Sequence, residues 1–293
     1  MAFMNSLWAS IFGGLGGMFG WGTSDFLANL SADRVGSRKT FFWSQAAGVC
    51  LVFLVCILRR PSFQLSLTEI LLLLFLGVTY AIGYLLFYKG FELGNVSVVS
   101  AVINFQTVFI ILISYFIRGQ QLSALQIPAL ILIFFGVTFV SVNIKELASG
   151  TVSLLKGVKE TLIAAFVFGV LFWPLNEYMV EQSNFLTVTL LIKLIALMVV
   201  LGMTFYQKQQ LKVEAASKKI IALILSVGIL EAVGVLSANF GGQYGDGILV
   251  APISSSLTIV TVGLAMIFLK EKITRTQGVG IVMTIVGILL TAL

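Results

Sequence analysis

Ten apolar runs of about twenty residues follow one another along the 293-residue chain, with only short polar breaks between them. They cover residues 7–30, 41–58, 69–91, 96–117, 124–143, 157–180, 185–206, 219–240, 248–268 and 276–293. A helix crossing the hydrocarbon core of a bilayer needs about that length, because every backbone polar group must be satisfied within it. Breaks such as RRPSFQLS and RGQQLSA cannot hold a soluble domain, and the longest, Lys145 to Glu160, falls at mid-chain. Only 10% of residues are charged, against about 25% in soluble domains. The pattern predicts an all-α, multi-pass integral membrane protein with ten transmembrane helices. The opening MAFMNSLWASIF has no basic n-region and no small-residue cleavage site, so the first run is expected to be retained as a span.

Displacing the chain against itself by 151 residues aligns the third to fifth runs with the eighth to tenth without a gap. Gly77, Gly83, Gly90, Gly94 and Gly136 meet Gly228, Gly234, Gly241, Gly245 and Gly287. Gln126 meets Gln277, and Tyr80 falls opposite Glu231. The first two runs align with the sixth and seventh in either of two registers. One pairs Gly22 with Gly169 and Asn29 with Asn176; the other pairs Trp21 with Trp173 and Asp25 with Glu177. Five spans are an odd number, so the second copy would enter from the opposite face of the membrane. The expected organisation is two inverted five-helix repeats, 1–146 and 151–293, forming one transmembrane domain, an architecture of alternating-access transporters.

Basic residues cluster on one set of loops, from Arg34, Arg38 and Lys39 to Lys270, Lys272 and Arg275, whereas the opposite set has Arg59, Arg60 and Arg118. The positive-inside rule places the richer set in the cytoplasm and both termini outside. Scattered in this way, the +6 balance reads as topology and lipid-headgroup contact and gives no nucleic-acid signature. With no histidine, a histidine metal site or proton relay is excluded. Cys50 and Cys56, on one apolar run, suggest neither a zinc site nor a disulfide framework. No metal and no cofactor are expected.

An ionised group at mid-bilayer costs about 2.5–3.5 kcal/mol, so intramembrane charges mark function by default. Asp25, Glu177, Lys193 and Glu231 are the candidates for binding substrate or protons. Glu231 lies on a helical stripe with Gly228, Gly234, Ala238, Asn239 and Gln243. It either pairs structurally with Lys193 or titrates and touches substrate. Lys193 is correspondingly a fixed counter-ion, an anion contact or a snorkelling residue. Asp25 lies one turn past Trp21, and Glu177 one turn past Trp173, on shared helical faces. A ring beside a carboxylate suits a cation; the bland reading of both pairs is ordinary packing beside solvated acids. Tyr80, Tyr84 and Tyr88 recur every four residues as either core or cavity wall. Asn29, Asn104, Asn239, Ser254 and Ser255 complete the expected cavity lining, with Pro252 freeing a backbone carbonyl nearby. The glycines of GGLGGMFGWGTSDFLANL (Gly13 to Leu30) permit close helix approach where lipid offers no hydrophobic drive.

The segments FGWGTSDF (Phe19 to Phe26) and APISSSLTIVTVGLAMIFLKEKITRTQGVGIVMTIVGILL (Ala251 to Leu290) resemble EamA-type members of the drug/metabolite transporter superfamily. A Trp-Gly in the first span, a proline in the ninth, a Lys-Glu turn after it and a Gln-x-x-Gly opening the last carry the likeness. The first-half counterpart of Glu271 is Gln120, a departure from the pattern, and the outward termini are another. The resemblance implies a ten-helix transporter and, in direction, export.

The expected function is secondary active transport, by alternating access, of a small polar or amphipathic metabolite. Three cavity carboxylates against one lysine favour an ammonium-bearing substrate such as an amino acid or organic cation, with protons as a candidate coupling ion. No Walker motif supports ATP drive. The expected partners are a small-molecule substrate and membrane lipids, the assembly a monomer or homodimer, and the location a prokaryotic inner membrane. The alternatives are a lipid or amphiphile flippase on the same fold and a lipid-modifying membrane enzyme. The enzyme would need a nucleophile–base cluster that this chain lacks.

Overall fold

A computed structural model describes residues 2–117, 119, 123–141, 154–213, 217–245 and 247–291. Gln120, Arg118 and the expected repeat boundary at 146–151 lie outside them. The described residues form helices and no strand: α1 (Ala2–Val35), α2 (Ser37–Arg59), α3 (Leu67–Leu93), α4 (Val96–Ile103), α5 (Phe105–Phe116), α6 (Gln126–Ser141), α7 (Val158–Phe166), α8 (Trp173–Gln182), α9 (Phe185–Tyr206), α10 (Lys218–Tyr244), α11 (Gly247–Ser255), α12 (Leu257–Leu264) and α13 (Arg275–Leu290). Among them, seven continuous helical stretches are long and apolar enough to cross a membrane, three of them spanning consecutive elements. Two shorter apolar helices, α6 and α13, have 16 residues each. The first helix, α1, has 34 residues, and its glycines and polar side chains lower its apolarity.

Several spans are interrupted for identifiable reasons. The fourth breaks at Asn104, between α4 and α5, and the ninth at Ser256, between α11 and α12. Pro252 inside α11 is followed by a bifurcated turn in which Ser256 N–H reaches the carbonyls of Pro252 at 3.1 Å and Ile253 at 3.2 Å. In the sixth, Val167–Phe172 is wound as a π-helix between α7 and α8. Pro174 has no N–H to return to the preceding turn, and Trp173 N–H bonds Phe168 O, five residues back. Such wide turns recur at functional sites.

Helix starts in the two halves use matching caps. Ser66 and Ser217, 151 residues apart, are the N-caps of α3 and α10. Ser123 with Gln126, and Thr274 with Gln277, exchange the two hydrogen bonds of a capping box. The Lys-Glu turn has a mechanical role as well, because Glu271 accepts from Ser97 N–H at 3.1 Å and from Ser97 Oγ at 2.5 Å, at the start of α4.

Close helix contacts are exchanged between the halves. Gly77 abuts Ile192 and Ile195, and Gly228 abuts Ser44. Gly136 abuts Gly280 and Thr284, and Gly287 abuts Ala129 and Ile133. Gly22 abuts Leu257 and Val260, and Gly169 abuts Gln106 and Phe109. Each second contact follows from its first by adding or subtracting 151 residues, or 147 on the first and sixth spans. Reciprocity of this kind, in which i meets j′ and i′ meets j, is what a two-fold relation would produce. It uses the register that pairs Gly22 with Gly169.

On α1 the glycines form two stripes. Gly13, Gly16 and Gly20 lie against Gly241, Ser237 and Gly234 of α10, while Gly14, Gly17 and Gly22 lie against Ile253, Ser254 and Leu257 of the ninth span. One helix is thereby wedged between two others at backbone distance, and larger side chains could not line either seam. Gly228 is the tightest position, because an added Cβ would sit 1.8 Å from Ser44 O. Gly228→Ala is expected to cost several kcal/mol, whereas Gly202→Ala, with nothing within 4 Å, should leave the melting temperature of the purified protein nearly unchanged.

The ends of the helices segregate into two sets. At one end Ser37 N–H donates to Glu92 at 2.8 Å, Arg38 donates to Gln209, and Gly94 abuts Lys156. At the other end Ser183 Oγ donates to Glu69 at 2.6 Å and Thr187 Oγ1 donates to Ser62 O at 2.7 Å. The first end carries the lysine- and arginine-rich loops and is called the basic end below.

Candidate functional site: a cavity and a sealed ion pair

The residues singled out from the sequence separate into two adjoining groups. One lines a cavity of about 210 Å³ enclosed by α1, α3, α5, α8, α10 and the ninth span. Trp21, Asp25, Tyr84, Trp173, Glu177, Asn239, Ser254 and Ser255 are all in its wall. Its floor is aromatic, with Tyr84 edge-on to Phe168 at 5.1 Å and Phe87 beside them. Trp21 and Trp173 meet at 5.5 Å in a T-shaped pair. The register that placed Trp21 opposite Trp173 thus describes a contact between the halves.

Asp25 is 3% exposed. Among the described residues it has no hydrogen-bonding or ion-pair partner, and its carboxyl group lies near that of Glu231. Trp173 Nε1 donates to Gln106 Oε1 at 3.1 Å. Trp21 Nε1, in contrast, is buried with no partner among the described residues. Asn176 Nδ2 donates to Asn239 Oδ1 at 3.1 Å, and Asn239 Nδ2 to Thr189 Oγ1 at 2.9 Å. Glu177 and Glu181 are exposed at the cavity mouth. That mouth lies beside Ser183, at the end opposite the basic one. Toward the basic end the cavity is closed below Asp25, where Asn29 Nδ2 donates to Phe91 O at 2.8 Å and Phe87 packs on Phe91 at 4.6 Å.

The second group lies outside the cavity lining. Lys193 and Glu231, both 1% exposed, form an ion pair joining α9 to α10. Gln45 Oε1 accepts from Lys193 Nζ at 3.0 Å, and Tyr80 OH accepts from it at 3.2 Å while donating to the other oxygen of Glu231. Gln45 Nε2 closes the ring on Glu231 at 3.3 Å. All three ammonium protons have acceptors, and both carboxylate oxygens are engaged, as a pair in a low-dielectric interior requires. The sequence alone does not single out Gln45, or Gln106 and Glu181 in the cavity wall, and it offers Asn176 only as the repeat counterpart of Asn29.

Four expected cavity residues are placed elsewhere. Tyr80 belongs to the ion-pair network, and Tyr88 packs edge-on against Phe41 at 5.9 Å. Asn29 holds the closed end, and Asn104 donates to Thr258 and, at 3.1 Å, to Ser100 O across the breaks of the fourth and ninth spans. Helical spacing puts the three tyrosines on one face, but different neighbours cross that face at different heights.

The sequence model of the EamA-like transporter family matches residues 8–142 and again residues 155–293. The chain belongs to the EamA-like transporter family. It is an integral, multi-pass membrane protein of the drug/metabolite transporter superfamily, and this membership points to transport rather than catalysis. An uncharacterised protein of Methanocaldococcus jannaschii is 34% identical over 76 residues, which are 26% of this chain and 56% of that protein. The chain thus spans just over half the length of that relative. A solved crystal structure superposes with a TM-score of 0.70 over 97% of this chain and 96% of its own, at 13% identity; the likeness is one of fold.

Proposed function

We propose that the protein is a secondary transporter, most simply an exporter in a prokaryotic inner membrane, for a small metabolite bearing an ammonium group. One observation carries the reading: a buried carboxylate, Asp25, stands without a partner among the described residues in a cavity walled by Trp21, Trp173 and Tyr84. An uncompensated ion in that place is costly, and a cation held by carboxylate and ring faces removes the cost.

The exchanged contacts between the halves support ten spans arranged as two inverted repeats, with the cavity on their interface. The mouth beside Glu181 and the closure at Asn29 and Phe91 describe one end-state of an alternating-access cycle. Rocking one half against the other would close the mouth and open the basic end, the cytoplasmic one by the positive-inside rule. The Lys193–Glu231 pair would be parted or kept in that motion, and parting it would leave two buried charges to find other partners. Proton coupling therefore has Asp25 and Glu231 as its candidate carriers.

The flippase reading rests on a second groove, lined by Phe12, Val55, Arg59, Phe185, Leu236 and Phe240. It shares no residue with the lining of the central cavity, so a lipid there has no described route past Asp25. Thermal shift separates the two readings. Organic amines are expected to raise the melting temperature of the purified protein in a concentration-dependent way, and anionic metabolites are not. Stabilisation by phospholipid alone would favour the flippase.

A further inference from the structure

The cavity has carboxylates at two levels with the tryptophan pair between them. The helix α1 runs toward the basic end, where Ser37 bonds Glu92, and α7 sets out from that end, where Gly157 abuts Gly90. The two spans are therefore antiparallel where Trp21 and Trp173 touch at 5.5 Å. Four residues of α-helix rise about 6 Å. Asp25 is thus about 6 Å below the ring pair and Glu177 about 6 Å above it. The carboxylate-bearing levels are separated by about 12 Å of cavity, with Glu181 one further turn toward the mouth.

Three acids line this cavity, and no lysine or arginine is among its described lining residues. The lysine expected to balance them, Lys193, is spent on Glu231. A zwitterion would bring its own carboxylate into this field with no basic group to receive it. Between the two levels stand the Trp21–Trp173 pair and Tyr84, with Gln106, Asn176, Asn239 and Ser254 also in the wall; Trp21 Nε1 is buried with no partner among the described residues and is free to meet a ligand atom.

We propose that the substrate is an elongated organic dication, one ammonium group on Asp25 and the other at Glu177 and Glu181, with an apolar linker crossing the Trp21–Trp173 pair. This rests on the cation reading above and adds the second charge and the length. Each ammonium group then has a carboxylate, and the linker lies against the indole rings that stand between them.

The test compares 1,8-diaminooctane, long enough when extended to reach both levels, with 8-amino-1-octanol, equal in length but singly charged. Affinities are measured by calorimetry on the detergent-purified full chain. The diamine is expected to bind about tenfold more tightly, equivalent to about 1.4 kcal/mol, and 1,3-diaminopropane, too short to reach both levels, should gain nothing comparable. In Glu177→Gln/Glu181→Gln, with folding checked by its melting temperature, the diamine-to-amino-alcohol ratio should fall to near one. Equal affinities in the parent protein, or an unchanged ratio in the double variant, would overturn the dication while leaving the cation reading intact. Binding of neither compound would overturn both.

Discussion

Glu231→Ala is expected to destabilise the protein by about 3–5 kcal/mol, because it strands the Lys193 ammonium in an interior that excludes water. Both side chains are 1% exposed, and after truncation the ammonium keeps only two neutral partners, Gln45 and Tyr80. Lys193→Met should cost a similar amount, since it leaves the carboxylate buried beside Asp25. The loss corresponds to a fall in melting temperature of roughly 10 °C. The combined Lys193→Met/Glu231→Leu protein is the informative one. Removing both charges together should return most of the stability, because a buried pair gains little over apolar residues of similar volume. A double variant as unstable as the sum of the two singles would show that the charges are not acting on each other.

Asp25→Asn is expected to leave the fold intact and to remove function. The two side chains are nearly the same size, and no described hydrogen bond or ion pair depends on the carboxylate. The melting temperature should therefore stay within a few degrees of the parent. What disappears is the charge that holds the substrate cation. A charge-assisted hydrogen bond contributes about 1.5–3 kcal/mol, so amine affinity should fall between about tenfold and a hundredfold. Asp25→Glu keeps the charge but lengthens the side chain against Tyr84, and an intermediate loss is expected. Binding isotherms on the three proteins decide it. If Asp25→Asn binds amines as tightly as the parent, the cation does not rest on Asp25.

Much of this was legible in the residues, and what was not has physical causes. The 151-residue displacement was visible because glycines at backbone contacts cannot be exchanged freely for larger residues, so both halves keep them. Asp25 and its ring neighbour were visible through simple helical spacing. Gln45 was not, because it is one amide in an apolar run, and its partners Lys193 and Glu231 lie 148 and 186 residues away. Glu181 was hidden in the same way, and Asn176 showed only as the counterpart of Asn29, since facing the cavity depends on how α8 is turned. The π-helix before Pro174 sets that turn, and no hydrophobic periodicity announces it. The breaks at Asn104 and Ser256 were partly foreshadowed by Pro252, whereas the first-half break has no proline and becomes visible only through its partner Thr258. The tyrosine stripe taught the converse lesson: shared spacing gave Tyr80, Tyr84 and Tyr88 one face, and three different surroundings.

Counterflow in proteoliposomes tests the transport account most directly. Vesicles containing the protein are loaded with an unlabelled amine and diluted into a trace of the same labelled amine. The parent protein should accumulate label transiently above its equilibrium level, because one cavity carries the amine in alternate directions. Asp25→Asn and protein-free vesicles should equilibrate without an overshoot. An overshoot of equal size in Asp25→Asn, or none for any amine that stabilises the parent protein, would contradict it.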